Sequence, residues 1–493
     1  MTELPHYTLY IDGEWRAGAA GQTMESVNPA TGLPWATFDC ASAADIDAAV
    51  GAARRTLDAP EWRDMTQTDR GKLLYRLADL ISEHADHLGA IETTDSGKLA
   101  AETKAQTGYV ADYYRYYAGL ADKLEGSVLP IDKSDMHVYT QRVPIGVVAA
   151  VVPWNAQMFL AATKVAPALA AGCCVILKAS EQAPAPMFEF AKLIDMAGFP
   201  KGVISVLTGD AENCAIPLTR HPDVDRIAFT GGPEAARHVV RNSSENFAVT
   251  TLELGGKSPI LVFDDADIHS AANGLIAGNF GASGQSCVAG TRGFVQRAIY
   301  DAVVAAVTEK SQGLIVGDPH DAATHLGPLC TRAQVTRIEQ TLAQAQTQGA
   351  HIAFGGAAVA GLSGHYIQPT LVLTDTPDVA TMQVEMFGPV MTLMPFDSEE
   401  DAIALANRSE FGLGSGVFTS NVACAHRVSR RIRSGITWVN TYRAISPIAP
   451  FGGFNQSGYG REAGQEAILD YTRVKTTWIN TSEAPMANPF VMR

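Results

Sequence analysis

The 493-residue chain has no apolar stretch long enough to cross a membrane. Its longest apolar run, VAPALAAGCCVIL at 165–177, is shorter than the ~20 residues that a membrane-spanning helix needs. The N-terminus, MTELPHYTLY, has neither the basic start nor the apolar core of a signal peptide. Basic residues are also outnumbered, since 37 lysines and arginines against 52 acidic residues give a formal net charge of −15. These absences argue against membrane and nucleic-acid partners.

Disulfide and metal-binding patterns are missing as well. The seven cysteines show no repeated spacing, and the adjacent Cys173 and Cys174 cannot readily pair with each other. Unpaired thiols suit a reducing compartment, so we expect a cytoplasmic protein. The twelve histidines form no HxxxH pattern and no CxxC occurs, so the sequence predicts no metal site.

The arrangement of apolar segments predicts the fold class. Strand-like and helix-like segments alternate between 143 and 255, and again from about 258 to 440. Such alternation is typical of parallel sheets with helices on both faces, so we expect an α/β protein with two parallel-sheet domains. VPIGVVAAVVP at 143–153 is interpreted as one strand, whereas 125–142 contains extended polar pieces that fit neither block.

One cysteine lies in a loop suited to chemistry. The stretch FGASGQSCVAG, residues 280–290, places Cys287 among small residues behind a Gly284-Gln285 turn. Small neighbours leave room for a substrate and for backbone N–H groups near the sulfur, as a nucleophilic thiolate requires. A free cysteine is also commonly a small buried hydrophobe, and the loop alone does not separate the two interpretations.

The usual dinucleotide fingerprint GxGxxG is absent. GYGREA at 458–463 comes nearest, but no clear strand leads into it and no acidic residue follows about 20 residues later. FTGGPEAAR at 229–237 is the better candidate, because a strand ends in two glycines before Pro233 opens a helix. The free N–H groups of such a helix start bind anions such as a pyrophosphate, although an ordinary strand–turn–helix has the same pattern.

Six further motifs surround Cys287 in a fixed order. They are PWN at 153–155, LKASE at 177–181, FTGG at 229–232, LELGGKSP at 252–259, EMFGPV at 385–390 and PFGGFNQSGYGRE at 450–462. Together with the cysteine loop they resemble the aldehyde dehydrogenase superfamily, and the resemblance extends from YIDGEW at 10–15 to the C-terminal region. It implies a hydrolytic, non-CoA-acylating enzyme that uses NAD(P) to oxidise an aldehyde.

The resemblance also implies an aldehyde dehydrogenase-like architecture. On this chain it places a Rossmann-like NAD-binding domain at 1–124 and 143–254 and a catalytic domain carrying Cys287 at 255–445. A small β oligomerisation arm then comprises 125–142 and 472–493. We expect these arms to pair between subunits as strands, giving a homodimer or homotetramer.

The catalytic residues implied by the resemblance are Cys287, Glu253, Asn155 and Lys164. Cys287 would form a thiohemiacetal and then a thioester, Asn155 would stabilise the oxyanion, and Glu253 would activate water for hydrolysis. Alternatively, Asn155 closes a turn and Glu253 is a structural carboxylate satisfied by backbone groups. Lys164 and Glu462 match residues near Glu253 that tune pKa values or structure.

A larger set of residues matches the family's cofactor contacts: Val152, Trp154, Lys178, Glu181, Gly209, Thr230, Gly231, Gly232, Leu254, Glu385 and Phe387. The Glu181 carboxylate would accept hydrogen bonds from a ribose 2′-OH and repel a 2′-phosphate, so we expect NAD rather than NADP. Without the family, Lys178 and Glu181 would be a surface ion pair and Phe387 a core residue.

The matching substrate contacts are Ala156, Leu160, Thr163, Ser286, Val288, Tyr109, Arg443 and Ile445. Many relatives carry an aromatic residue in place of Ala156 and some a tryptophan in place of Thr163, so a wider tunnel is predicted. We therefore expect a bulky aromatic or long-chain aldehyde. The alternative is a semialdehyde whose carboxylate binds Arg443, although this arginine is otherwise an ordinary solvated residue.

Three remaining interpretations stay open at this point. Tyrosines 109, 113 and 116 or 117 recur at helical spacing and either line the tunnel or belong to the core. A cofactor-independent thiol hydrolase would need a histidine base, which no motif supplies. An inactive structural relic would be expected to lose Cys287, Asn155 or Glu253, and all three are present.

Overall fold

The computed structural model describes residues 3–486 and 488–491 and contains two large sheets. The first sheet has a parallel centre with antiparallel strands at both edges. Its strands in spatial order are Gly458–Tyr459, Val249–Glu253, Arg226–Thr230, Val147–Val151, Cys174–Lys178, Ile204–Leu207, Leu9–Ile11 and Glu14–Arg16. The central strands are buried along almost their whole length, which explains their continuous apolar sequences.

The chain order of the first sheet reverses between Val147–Val151 and Arg226–Thr230. Later strands are added outward on both sides of this pair. In open α/β sheets, ligands bind beyond the carboxyl ends of the strands at such a reversal. The segments that follow the two strands, 152–155 and 231–232, therefore lie where a ligand is expected.

The second sheet is parallel except for one antiparallel edge strand. Its strands in spatial order are His351–Phe354, Thr370–Leu373, Val390–Phe396, Arg292–Gln296, Pro259–Val262, Gly414–Phe418 and Ile436–Val439. The chain enters it directly from the first sheet, because only residues 254–258 separate Val249–Glu253 from Pro259–Val262.

Helices cover the two sheets, and three small sheets complete the described residues. The α-helices are Ala43–Asp58, Pro60–Arg63, Gln67–Glu83, Ala85–Ser96, Ala100–Leu120, Gln157–Ala171, Ala185–Ala197, Ile216–Arg220, Pro233–Asn246, Ile268–Phe280, Tyr300–Gln312, Arg332–Thr347, Ala380–Gln383, Glu399–Asn407, Val422–Arg431 and Gly464–Leu469. Shorter helical turns are Ala121–Lys123, Ala211–Ala215, Gly281–Gly284 and Arg297–Ile299. In the small sheets, Leu33–Asp39 lies between His6–Tyr7 and Thr23–Asn28 and pairs with both, Phe411–Gly412 pairs with Phe454–Asn455, and Met136–Pro144 pairs with Thr472–Asn480.

The expectation of one strand over 143–153 is wrong. Met136–Pro144 belongs to a small sheet, and Val147–Val151 belongs to the first sheet. Gly146 separates them with a φ of +130°, and a Cβ there would stand 2.0 Å from Asp225 Oδ2. Only glycine allows both this conformation and this contact, so the chain turns from one sheet into the other at Gly146.

The predicted arm strands pair within one chain. Met136–Pro144 and Thr472–Asn480, which we call the arm, align antiparallel from Thr472 opposite Pro144 to Asn480 opposite Met136. The expectation that these two strands pair between subunits is therefore wrong for the edges that face each other, because the backbone groups there already bond within one chain. Residues 487 and 492–493 of the predicted arm lie outside the described part. Among the described residues, no helix is long and apolar enough to span a membrane.

The arm carries exposed apolar side chains that favour a partner surface. Val474 and Trp478 are 59% and 56% exposed and lie on the same face of their strand. Replacing both with lysine should raise the dissociation constant of the predicted oligomer about tenfold or more, since fully burying one such side chain is worth about 1.5–3 kcal/mol. Light scattering over a dilution series measures it. Lys475→Thr, on the opposite face, is the control, and an unchanged mass and dissociation constant in the double variant would contradict the prediction.

Candidate active site

Two cavities meet at Cys287. The first, of about 160 Å³, is lined by residues that follow strands of the first sheet and by residues that precede strands of the second. The second, of about 300 Å³, shares Asn155, Leu160 and Cys287 with it. The carboxyl edge of the first sheet therefore faces the amino edge of the second across the sulfur of Cys287.

The loop of Cys287 is fixed from several sides. Asn155 Nδ2 donates to the carbonyl of Gln285 over 3.0 Å, and Gln285 Oε1 accepts from the Cys330 N–H over 2.8 Å. The Tyr442 hydroxyl donates to the Val288 carbonyl over 2.9 Å. Asn155 thus joins the PWN segment to the cysteine loop and leaves one of its two amide N–H groups unused by this bond.

Two glycines after Glu253 permit this close approach. A Cβ on Gly256 would stand 2.5 Å from the Cys287 carbonyl oxygen, and one on Gly255 would stand 2.1 Å from Glu385 Oε2. The Gly256 N–H also donates to Glu385 Oε1 over 2.8 Å. The pair in LELGG therefore brings the strand end, the cysteine loop and Glu385 together.

The Cys287 thiol is protonated in this environment. Its side chain is half-buried, and burial together with the Glu253 and Glu385 carboxylates raises the pKa of Cys287 to about 12. Arg443 acts in the opposite direction. Burial also raises the pKa of Glu385 to about 7. A nearby base is needed before this thiol can act as a nucleophile.

Glu253 is a carboxylate without hydrogen-bond partners among the described residues, so the alternative of a Glu satisfied by backbone groups does not hold. Burial and the neighbouring Glu462 carboxylate hold the pKa of Glu253 well above its ordinary value, while Lys164 and Arg461 lower it. A buried carboxyl with a raised pKa in a cavity is typical of a group that accepts and releases protons.

Lys164 and Glu462 form a buried ion pair beside this carboxylate. Lys164 Nζ lies 2.6 Å from Glu462 Oε1 and donates to Thr230 Oγ1 over 2.6 Å. Thr163 Oγ1 donates to Glu462 Oε2 over 2.7 Å. Thr163 is therefore committed to Glu462 and does not line the second cavity, which corrects the expectation that it widens the tunnel.

The first cavity has features of an anion and ring site. Thr230, Gly231 and Gly232 lead into Pro233–Asn246, whose start has no side-chain cap, and a Cβ on Gly232 would meet no atom within 4 Å. On the other wall, Trp154 packs edge-on against Phe387 at a centroid distance of 5.4 Å. Leu254 and Glu385 complete this wall.

The remaining predicted cofactor residues lie outside the first cavity. Lys178 Nζ bonds to Glu181 Oε2 over 2.8 Å, and Glu181 lines a separate open groove of about 740 Å³. Val152 is buried and donates its N–H to the Lys178 carbonyl over 3.1 Å. Gly209 is buried with a φ of +153°, and a Cβ there would stand 2.9 Å from the Cβ of Cys214, so Gly209 shapes the turn before the groove.

The second cavity has mostly apolar walls and contains most of the predicted substrate residues. Those residues are Ala156, Leu160, Ser286, Val288, Arg443 and Ile445. Tyr109 lies behind the wall, where its hydroxyl donates to the Ile445 carbonyl over 3.1 Å. Tyr113 and Tyr117 are core residues with exposures of 2% and 0%.

The sequence interpretation missed seven residues of the second cavity: Lys98, Glu102, Gln106, Phe159, Phe451, and Ala282 and Gln285 in the loop of Cys287. Glu102 and Gln106 precede Tyr109 on Ala100–Leu120 by seven and three residues, which places all three on one helix face. Continuing the tyrosine pattern toward the N-terminus would have found these two. Phe451 has no comparable signal.

Known proteins resemble this chain over almost its entire length. The model of the aldehyde dehydrogenase family matches residues 15–477. A (Z)-2-((N-methylformamido)methylene)-5-hydroxybutyrolactone dehydrogenase of Acinetobacter baylyi is 52% identical, covering 99% of this chain and all of the relative. An aldehyde dehydrogenase of Bacillus cereus, solved as an NAD+ complex, is 38% identical with a TM-score of 0.95 and covers 97% of both chains.

The fold and these matches define an oxidoreductase with an α/β architecture. The chain belongs to the aldehyde dehydrogenase family. This confirms the family resemblance and the fold class that the sequence predicts.

The Lys164–Glu462 pair gives a test of how the site is held together. Lys164→Met should lower the free energy of unfolding by about 3–5 kcal/mol, because it leaves the Glu462 carboxylate buried without its cation. Lys164→Met combined with Glu462→Gln should lose less than the single variant, since no unpaired charge remains. Urea unfolding measures both. A double variant that is less stable than Lys164→Met would count against this account.

Proposed function

We propose that this protein oxidises an aldehyde to the carboxylic acid with NAD, and that Cys287 is the nucleophile. The observation that carries the proposal is the position of Cys287 in the common wall of two cavities. One cavity has the glycine-lined helix start and the aromatic wall, and the other is mostly apolar and long enough for a substrate. A sulfur between them is accessible to both reactants.

The residues of the first cavity fit a dinucleotide. The uncapped start of Pro233–Asn246 offers backbone N–H groups to a pyrophosphate, and the open space at Gly232 leaves room for it. Phe387 would pack against the nicotinamide, Glu385 would bind its ribose, and Lys178 and Glu181 would bind the adenosine ribose. The Glu181 carboxylate disfavours a 2′-phosphate, so NAD is preferred over NADP. When bound, the nicotinamide supplies the hydride acceptor.

The chemistry on the protein begins with addition. The Cys287 thiol first gives its proton to a water molecule. The thiolate then forms a bond to the aldehyde carbon, and the carbonyl oxygen becomes the oxyanion of a thiohemiacetal. The free N–H of the Asn155 amide and the backbone N–H of Cys287 would stabilise that charge. Loss of hydride from the same carbon leaves a thioester on Cys287.

Hydrolysis of the thioester requires an activated water. Glu253 lines the same cavity as Cys287, and its raised pKa makes it a stronger base toward water than an ordinary carboxylate. Hydroxide addition then releases the carboxylic acid and returns the Cys287 thiolate. Lys164 and Glu462 set the local charge rather than react.

The division of labour follows the two sheets. We propose that 1–124 and 143–254 bind NAD, that 255–445 supply Cys287, and that 125–142 with 472–493 mediate assembly into a homodimer or homotetramer. Cytoplasmic localisation remains a prediction from the unpaired cysteines.

Glu253→Gln should separate the two half-reactions. We expect a rapid burst of about one NADH per site followed by little turnover, because thioester formation survives and hydrolysis fails. Stopped-flow absorbance at 340 nm measures the burst. Cys287→Ser is the matched control and should give neither burst nor turnover; a burst in that variant would eliminate Cys287 as the nucleophile. Loss of the burst in Glu253→Gln would mean that Glu253 also deprotonates the thiol.

The second cavity favours an aldehyde bulkier than acetaldehyde, aromatic or long-chain. Ala156, Phe159, Leu160 and Val288 give it apolar walls, and Ala156 leaves space where an aromatic side chain would otherwise stand.

BetB of Staphylococcus aureus, a betaine aldehyde dehydrogenase whose structure contains NAD+ and a BME-modified cysteine, is 35% identical. That relative supports a reactive cysteine in this fold.

A semialdehyde is the second candidate, because Arg443 lines the cavity. The Acinetobacter baylyi relative is named for a 5-hydroxybutyrolactone. The open form of such a lactone carries an aldehyde and a carboxylate. An arginine at the far end of the cavity would pair with that carboxylate.

Ala156→Phe should penalise large substrates selectively. The added ring fills the cavity, so kcat/KM for benzaldehyde should fall about tenfold or more while that for acetaldehyde changes little. Steady-state NADH formation with both aldehydes gives the comparison. Ala156→Ser, which adds one small atom, is the control. Equal losses for both aldehydes in Ala156→Phe would show that Ala156 does not set the width.

A further inference from the structure

The part of the second cavity's wall that does not border the first cavity, which we call the far end, contains charges of both signs. Lys98, Glu102, Gln106 and Arg443 all line it. Lys98 is 5% exposed and bonds to Glu92 Oε1 over 3.1 Å, so its charge is already neutralised by a buried partner. Glu102 and Arg443 form no such ion pair among the described residues, so one carboxylate and one guanidinium remain without a charged partner.

Both of these side chains are seated on the same short segment. The Ala282 N–H donates to Glu102 Oε1 over 3.0 Å. Arg443 Nη1 donates to the Ala277 carbonyl over 3.4 Å. A Cβ on Gly281 would stand 2.1 Å from the same Nη1 atom. The guanidinium therefore occupies space that only glycine leaves at 281, next to the residue that holds Glu102.

Hydrogen-bond donors and an acceptor without partners are both present among these side chains. Glu102 Oε2 is shut off from solvent and has no partner among the described residues. Gln106 accepts from Lys98 Nζ through Oε1, so its two amide N–H groups are not needed for that bond. Arg443 makes one long contact with its five donors. The cavity wall thus offers several donors, and Glu102 Oε2 is an acceptor that reaches a ligand only when the carboxylate turns toward the cavity.

The backbone of Arg443 is held in an uncommon conformation. Its φ is +62°, a region that residues other than glycine seldom adopt. The Trp438 indole N–H donates to the neighbouring Ala444 carbonyl over 2.8 Å, and Tyr109 binds the Ile445 carbonyl. These two bonds fix the loop after Arg443, and the bond from Tyr442 to the Val288 carbonyl fixes it before Arg443, as expected for a preorganised binding group.

Taken with the proposed aldehyde oxidation, on which this inference rests, we propose that Glu102, Gln106 and Arg443 bind a neutral polar end of the substrate that carries both a donor and an acceptor, as a primary carboxamide does. The carbonyl of such a group accepts from Arg443 or Gln106, and its N–H donates to Glu102. A carboxylate gains Arg443 but is repelled by Glu102, and an ammonium group meets the reverse arrangement. A methyl group leaves the buried Glu102 oxygen unpaired.

The test compares three rigid aldehydes that differ only at the far end: 4-formylbenzamide, 4-formylbenzoate and 4-methylbenzaldehyde. Ratios of kcat/KM between protein variants cancel the intrinsic reactivity of each aldehyde. The native protein should prefer the amide to the carboxylate by about tenfold or more. Glu102→Gln should reduce that preference about tenfold, because the repulsion of the carboxylate disappears.

Arg443→Met should lower kcat/KM for both polar aldehydes by more than for 4-methylbenzaldehyde, whose smaller loss measures the effect of Arg443 on the Cys287 thiol. Asp112→Asn removes a carboxylate from the same helix, Ala100–Leu120, where Asp112 pairs with Arg115 away from the cavity, and should leave all ratios unchanged. An amide-to-carboxylate ratio that Glu102→Gln does not alter, or a native preference for the carboxylate, would overturn the inference.

Binding is measured separately by calorimetric titration of the three aldehydes into Cys287→Ser. Kd values that follow the same order of preference as the kcat/KM values support the inference independently of turnover. Equal Kd values for the three aldehydes count against it. Absence of NADH formation with every aldehyde would instead refute the proposed function, while the Kd ratios would still decide the role of Glu102.

Discussion

The close backbone approach at Gly255 and Gly256 is the constraint on which the rest of the site depends. These residues carry the chain from the carboxyl edge of one sheet to the amino edge of the other in only a few positions. A side chain at either would collide with Glu385 or with the Cys287 carbonyl. Because a Cβ on Gly256 would meet the backbone of Cys287, backbone atoms limit how closely the two sheet edges approach at that point, and Gly255 leaves the space that the Glu385 carboxylate occupies.

The charges at this junction are unbalanced because of where they lie rather than because of how many there are. Glu253 and Glu462 approach each other in a buried region and Glu385 is buried in the wall of the same cavity as Glu253, while Lys164 bonds to Glu462 and Thr230. Burial and the Glu462 charge raise the pKa of Glu253, burial raises the pKa of Glu385, and burial with the Glu253 and Glu385 charges raises the pKa of the Cys287 thiol. Proton affinity in this site is therefore a property of the cluster, and substitution of one carboxylate alters the others.

Much of this arrangement could be predicted from the sequence, because it depends on local patterns. The strand ends before Trp154, Gly231 and Glu253 are visible as apolar runs closed by polar or small residues. The place of Thr163 was not predictable, since Gln157–Ala171 is buried on nearly every side and its periodicity marks no face. The contacts of Glu102 with Ala282 depend on docking between distant segments, and strand pairing in the arm depends on which edges are already occupied. Neither leaves a short-range signal.

The hydrogen bonds from Tyr109 to Ile445 and from Ala282 to Glu102 have a consequence for how the protein acquires selectivity during folding. Each bond joins the helix Ala100–Leu120, which packs beside the first sheet, to a segment that follows or precedes a strand of the second sheet. Neither half of the chain alone contains a complete far end of the cavity. The site that discriminates among substrates is therefore complete only when the two halves have docked, whereas the buried strands of each sheet make most of their contacts within their own half.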